Sequence, residues 1–129
     1  MLKRFMAKLG KGAAEVHLHI PKDIYKSGEQ IHGEVIVKGG KTKQHISAVN
    51  LELYRGFADL PMSEKELLSA TSVTKEAFII APNETRSFPF THTLYPASEH
   101  DPEKDVYFLI KVDIDAGIDT RKKVLIHVQ

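Results

Sequence analysis

Apolar and polar residues alternate with a period of two over most of this chain, the pattern of strands half buried against a core. Val16, Leu18 and Ile20 share a face, and after a short break Ile31, Gly33, Val35 and Val37 share another, with His32, Glu34 and Ile36 opposite. Between them Lys26-Ser27-Gly28-Glu29 reads as a tight turn, and Gly39-Gly40 as the next break. Val49, Leu51 and Leu53 predict a further strand. Lys65 to Ile80 is rich in β-branched and small residues but loses the alternation at Leu67-Leu68, which predicts one long strand with a bulge. The segment APNET turns, with Pro82 suited to the first central position.

Phe88, Phe90, His92 and Leu94 then fall in phase, and Pro89 on the opposite phase favours an edge strand because it lacks an amide donor. Val106, Phe108, Ile110, Val112 and Ile114 alternate most regularly. Asp115–Lys123 is expected to turn, and Val124, Ile126 and Val128 to close the sheet. Gly28, Glu29, Gly33, Gly39, Gly40 and Pro82 are the residues expected to fix turns. The N-terminus follows a different period. Leu2, Phe5, Met6 and Leu9 recur at helical spacing with Lys3, Arg4 and Lys8 opposite, and Gly10 and Gly12 would end that short amphipathic helix. The expected organisation is a helix over 1–12 and a β domain over 13–129. About seven short strands without βαβ alternation predict an all-β, immunoglobulin-like antiparallel sandwich.

Composition narrows the function classes. At 129 residues the chain fits one domain with a real core, and without cysteine it has neither disulfides nor thiolate metal sites. The basic N-terminus lacks the apolar core of a signal peptide and no run approaches a membrane span, so a cytoplasmic location is expected. Lysine and arginine number 18 against 17 acidic residues, which gives no global case for a polyanionic partner. Charge is instead local: Lys3, Arg4, Lys8 and Lys11 precede the first acid, and Glu99, Asp101, Glu103 and Asp105 crowd one later loop.

Candidate chemistry is sparse. His17 and His19 form an H-x-H pair, but they point away from the Val16 face, and His32 and His127 also fall on outward phases, so no metal is expected. His92 alone is inward, where a neutral imidazole with one hydrogen bond is expected rather than a base. Asp113, Asp115 and Asp119 surround Gly117, yet counting from Asp113 puts that glycine fifth and Val124 twelfth, against the sixth-position glycine and twelfth-position glutamate of a calcium loop. There is no phosphate loop, nucleophile elbow or basic stripe interleaved with aromatics. A non-enzyme without cofactor or nucleic-acid partner is expected.

In order along the chain, GKGAAEVHLHI, YKSGEQIHGEVIVKGG, IAPNETRSFPFTHTLYPAS and VYFLIKVDIDAGIDTRKKVLIHV resemble the arrestin-like superfamily, and most closely its bacterial sporulation-control family. A departure is HDPEKD before Tyr107, where the superfamily often has a glycine near the turn. The resemblance implies an arrestin-like sandwich acting as a regulatory scaffold or adaptor through protein partners. It also implies a family built as two-part proteins, of which the chain corresponds to about the first half, either as one domain of such a protein or as a single-domain relative. Self-association into a homodimer, and weak anionic-membrane contact through Leu2, Lys3, Arg4, Phe5, Met6, Lys8 and Leu9, are the further partner expectations.

Overall fold

The computed structural model describes residues 13–56, 65–94, 105–115, 117 and 119–128. Among them are nine strands: β1 (Glu15–His19), β2 (Ile24–Tyr25), β3 (Gln30–Lys38), β4 (Gln44–Gly56), β5 (Lys65–Ser72), β6 (Phe78–Ile80), β7 (Thr85–Thr93), β8 (Asp105–Ile114) and β9 (Thr120–Val128). The expected N-terminal helix and most of the acidic loop lie outside the described residues.

Two sheets form. The smaller runs β1-β3-β7, antiparallel throughout, and the larger runs β2-β9-β8-β4-β5 with β6 also pairing β4. The expectation of purely antiparallel sheets needs one correction. Strand β2 runs parallel to β9, setting Ile24 opposite His127 and Tyr25 opposite Val128, so the larger sheet is mixed. The His127 amide donates to the Asp23 carbonyl at 2.8 Å, which starts this pairing before the turn at Gly28 carries the chain to the other sheet.

Alternation puts one apolar face of each sheet into a common cluster. Val16, Ile31, Val35 and Val37 from the smaller sheet join Val49, Leu51, Phe108, Ile110, Val112 and Ile126 from the larger. The Phe90 ring meets Phe108 edge-on at 6.0 Å between centroids, and Phe78 meets Phe88 at 5.3 Å. Side chains of this size, each stabilising the fold by roughly 1.5–3 kcal/mol when its apolar surface leaves water, drive the assembly. Pro89 falls on β7, an edge of its sheet, where its missing donor leaves no central ladder broken.

Two boundaries differ from the sequence expectation. Lys65–Ile80 is two strands, both beside β4: after Ser72 the chain leaves the ladder, with the Val73 amide bonded to the Val49 carbonyl, and rejoins at Phe78. The bulge lies within β5, because Leu53 faces Ser69 while Tyr54 faces Leu67, leaving Leu68 without a partner. That extra residue turns Leu68 toward the core and Leu67 out from the sheet. The last turn is shorter than Asp115–Lys123, since β9 begins at Thr120. Asp119 closes it by accepting the Ile114 amide at 3.0 Å, so Arg121, Lys122 and Lys123 belong to a strand.

Candidate interaction surface

Two turns place the ends of the β3–β7 ladder. In Lys26–Glu29 the Glu29 amide donates to the Lys26 carbonyl at 3.1 Å, and Gly28 has φ +83°. In Ala81–Glu84 the Glu84 amide donates to the Ala81 carbonyl at 3.0 Å, and Asn83 has φ +62°. A positive φ at the third position alone makes both type II turns. In each, the glutamate carboxylate accepts the amide of the turn's first residue, Lys26 at 2.9 Å and Ala81 at 2.8 Å. The Lys22 ammonium, then the Lys26 amide, hold the Glu29 carboxyl below its ordinary range. For Glu84 the Ala81 amide comes first and the Arg86 guanidinium second.

Gly39, Gly40 and Pro82 lie at the second of these turns: the Gly39 amide donates to the Glu84 carbonyl at 2.7 Å and the Asn83 amide to the Gly40 carbonyl at 3.3 Å. Gly33 lies elsewhere. It sits in the middle of β3 rather than in a turn, and a Cβ there would come within 2.6 Å of the His19 carbonyl oxygen and 2.9 Å of Phe90 Cζ. Close approach of neighbouring chain, not turn geometry, requires this glycine.

The outward face of the larger sheet carries an apolar row that crosses every strand of its path. Leu125 of β9 faces Tyr107 of β8, Tyr107 faces Tyr54 of β4, and Tyr54 faces Leu67 of β5. Ile24 of β2 extends it, lying opposite His127 and so one outward position from Leu125. At strand spacing the row is about 19 Å long. Its centre is buried and its ends are open: Tyr107 is 0% and Tyr54 6% exposed, while Leu67 is 51%, Leu125 49% and Ile24 47% exposed.

Local chemistry stiffens that centre. The two tyrosine rings stack with centroids 5.7 Å apart, and the Lys123 ammonium lies 5.6 Å from the Tyr107 centroid. The Tyr54 hydroxyl donates to Glu52 at 3.0 Å, and Glu52 pairs with Lys111 at 3.0 Å. Burial, followed by the Glu52 hydrogen bond, pushes the Tyr54 hydroxyl up to about 12. Burial and the charge of Asp105 also raise Tyr107.

Among the described residues the histidines form no centre. His19, His32 and Glu34 line an open groove of about 690 Å³ with Pro89 and Thr91, where His32 Nδ1 lies 3.2 Å from the Thr91 hydroxyl. His17 is engaged separately, 3.2 Å from the Lys122 ammonium and 3.7 Å from Glu15. Among the described residues no group of three or more His, Asp or Glu side chains could hold a metal ion. His92 is half-buried, edge-on to Phe108 at 5.8 Å, with Nε2 3.2 Å from the Ser69 hydroxyl. Desolvation lowers its pKa. Nδ1 has no carboxylate partner among the described residues, so this Ser–His contact lacks the third group of a nucleophile triad.

Of the residues singled out from sequence for interaction, Leu2, Lys3, Arg4, Phe5, Met6, Lys8 and Leu9 lie outside the described residues. The row that sequence reasoning missed had a signal. Tyr107, Leu109 and Leu125 are apolar residues on the outward phase of otherwise alternating strands.

Comparison with known proteins places this framework. Residues 2–129 match the Spo0M family, described as SpoOM protein, and the chain belongs to that family. It is 37% identical over 122 residues to the sporulation-control protein spo0M of Bacillus subtilis strain 168, an alignment covering 91% of this chain and 47% of that protein. The crystal structure of Spo0M from Bacillus subtilis is similar with a TM-score of 0.79 at 33% identity, over 92% of this chain and 50% of that one. The chain therefore spans about half the length of the relatives it matches. A CARDB domain from Pyrococcus furiosus, solved in complex with di-metal ions, shares the fold alone, at TM-score 0.51 and 15% identity over 90% of this chain and 87% of that one.

Proposed function

From membership of the sporulation-control family as the premise, we propose that this chain is a non-catalytic regulatory scaffold or adaptor: a cytoplasmic, arrestin-like β-sandwich that acts in sporulation control by contacting other proteins. The observation that carries this reading is the outward apolar row, because its half-exposed ends Ile24, Leu125 and Leu67 leave apolar surface in water on a face that the sheet's own core does not need. Such ends flanking a rigid aromatic centre suit an anchor for a protein partner. Among the described residues no helix is long and apolar enough to cross a membrane.

The test is a chimaera in which this chain replaces the matching segment of the Bacillus subtilis relative, scored by sporulation frequency. The chimaera is expected to work, and Leu67→Asp or Leu125→Asp to lower its effect by about tenfold, the scale of an interface anchor, with an unchanged urea midpoint. A chimaera without effect, or variants as active as the parent, would refute the reading. Light scattering coupled to size exclusion, on the intact chain and on one lacking residues 1–11, tells whether the partner is a second copy. Sedimentation with anionic vesicles only when residues 1–11 are present would instead favour the membrane alternative.

A further inference from the structure

Strand β5 ends the path of the larger sheet and β7 that of the smaller, and side chains bridge the two sheets along this side. At β6 the bridge is made of groups that keep their state at any ordinary pH. Phe78 packs on Phe88, Arg86 lies over the Phe78 ring at 4.9 Å, and its guanidinium donates to the Ile79 carbonyl at 3.3 Å. At β5 the bridge is a single contact, His92 Nε2 to the Ser69 hydroxyl at 3.2 Å. It is the one side-chain hydrogen bond between β5 and β7 among the described residues. Strand β5 is otherwise held by its ladder to β4, which the bulge at Leu68 splits, and by the partly buried Leu68 side chain.

The surroundings of His92 favour the neutral ring. It stands opposite Ile31 in the β3 register and edge-on to Phe108 of β8. The titratable residues of those strands alternate to the outward faces: His32, Glu34 and Lys38 on β3, and Asp105, Tyr107, Lys111 and Asp113 on β8. On β4, Tyr54 bonds Glu52 on the outward face, His45 is exposed, and Arg55 pairs with Glu66 of β5 at 2.6 Å. Arg86, on β7 itself, pairs with Glu84 at 2.8 Å. Burial is accordingly the cause that lowers the His92 pKa.

We propose that the Ser69–His92 contact is a pH-sensitive latch: neutral His92 holds β5 against β7 across the open side of the sandwich, and its protonation releases β5. An imidazolium kept against Phe108 would hold its charge out of water, so the protonated ring turns to solvent and leaves Ser69. Proton linkage gives the direction. Freed into water, His92 regains its ordinary value of 6.5, above the folded one, so the open form binds more protons as pH falls through 6.5. The latch is complete above that pH and weakens towards the lower folded value. Because β5 presents Leu67, release displaces one end of the outward apolar row. That consequence for a partner rests on reading the row as a protein-interaction surface; the latch itself does not.

Amide exchange on the full chain, corrected for its intrinsic pH dependence, tests the latch between about pH 7.5 and 5.5, above the range in which Glu29 and Glu84 titrate. Opening of Leu67–Thr71 relative to β8 should rise at least about threefold at the lower pH. His92→Gln stays neutral and can still meet Ser69, so it should abolish that rise and separates His92 from the exposed histidines; its urea midpoint at the higher pH checks the fold. Ser69→Ala keeps the imidazole and should open β5 already at the higher pH. No rise, an equal rise in β3 and β8, a rise that persists in His92→Gln, or a Ser69→Ala chain as protected as the parent would overturn the proposal. A response confined to β5 beside an inactive chimaera keeps the latch and defeats the interaction reading. A working chimaera whose β5 ignores pH defeats the latch alone.

Discussion

The turns Lys26–Glu29 and Ala81–Glu84 do the same job at opposite ends of one ladder. The Glu29 carbonyl accepts the Leu94 amide at 2.9 Å, just past the end of β7, and the Glu84 carbonyl accepts the Gly39 amide at 2.7 Å, just past the end of β3. Each turn needs a glycine, for a different reason. In the first, Gly28 is inside the turn, at φ +83°, in open space: an added Cβ would meet only the Leu94 carbonyl oxygen, at 3.9 Å. In the second, proline and asparagine build the turn, and the glycine is across from it. A Cβ on Gly39 would lie 2.0 Å from the Ala81 carbonyl oxygen and 3.2 Å from the Asn83 nitrogen. One glycine supplies a backbone conformation and the other supplies room.

Replacing each by alanine separates these requirements. Gly39→Ala has the larger expected effect, because the clash is with backbone that can move only by lifting the second turn off β3, losing the Gly39–Glu84 bond. A cost of about 3 kcal/mol, at the upper end for overpacking, should appear in urea denaturation. Gly28→Ala meets only the Leu94 carbonyl oxygen, at ordinary contact distance, and should cost only the left-handed backbone penalty, about 1–2 kcal/mol. Gly28→Asn should recover most of that, as Asn83 already holds φ +62° in the sister turn. Equal costs for the two alanine variants, or no recovery by asparagine, would erase the distinction.

The sequence shows such local requirements better than it shows those between strands. Both turns, the β3, β7 and β8 alternations and the inward phase of His92 are readable because neighbouring residues encode them. The outward row Leu67–Tyr54–Tyr107–Leu125 joins four strands through register, which no single segment contains. Leu67-Leu68 showed a broken pattern, but only the pairing with Leu53 and Tyr54 tells which leucine turns outward. Gly33 looked like part of the turn chemistry because it is a glycine close to Gly28, whereas its constraint comes from His19, Ile20 and Phe90. Arg121–Lys123 resembled a polar turn since three charges in succession hide a strand whose only buried obligations are Ile126 and, in part, Val124 and Val128.

The smallest expected effect tests the two carboxylates. Both have folded pKa values lowered below the ordinary 4.5. The unfolded chain therefore binds more protons between the folded and unfolded values. Stability from either turn is complete above the unfolded pKa, about 4.5, and is lost as pH falls through the lower folded value. The leading causes differ: the Lys22 ammonium for Glu29, the Ala81 amide for Glu84. Salt at about 1 M shortens the screening length to about 3 Å and weakens an exposed ion pair more than a backbone hydrogen bond. In an NMR titration of the side-chain carboxyl carbons, added salt should raise the Glu29 midpoint more than that of Glu84. Lys22→Gln should raise Glu29 and leave Glu84 in place. If the two midpoints instead rise together with salt, the charge of Arg86 governs the second turn as that of Lys22 governs the first, and the turns differ only in where their glycines stand.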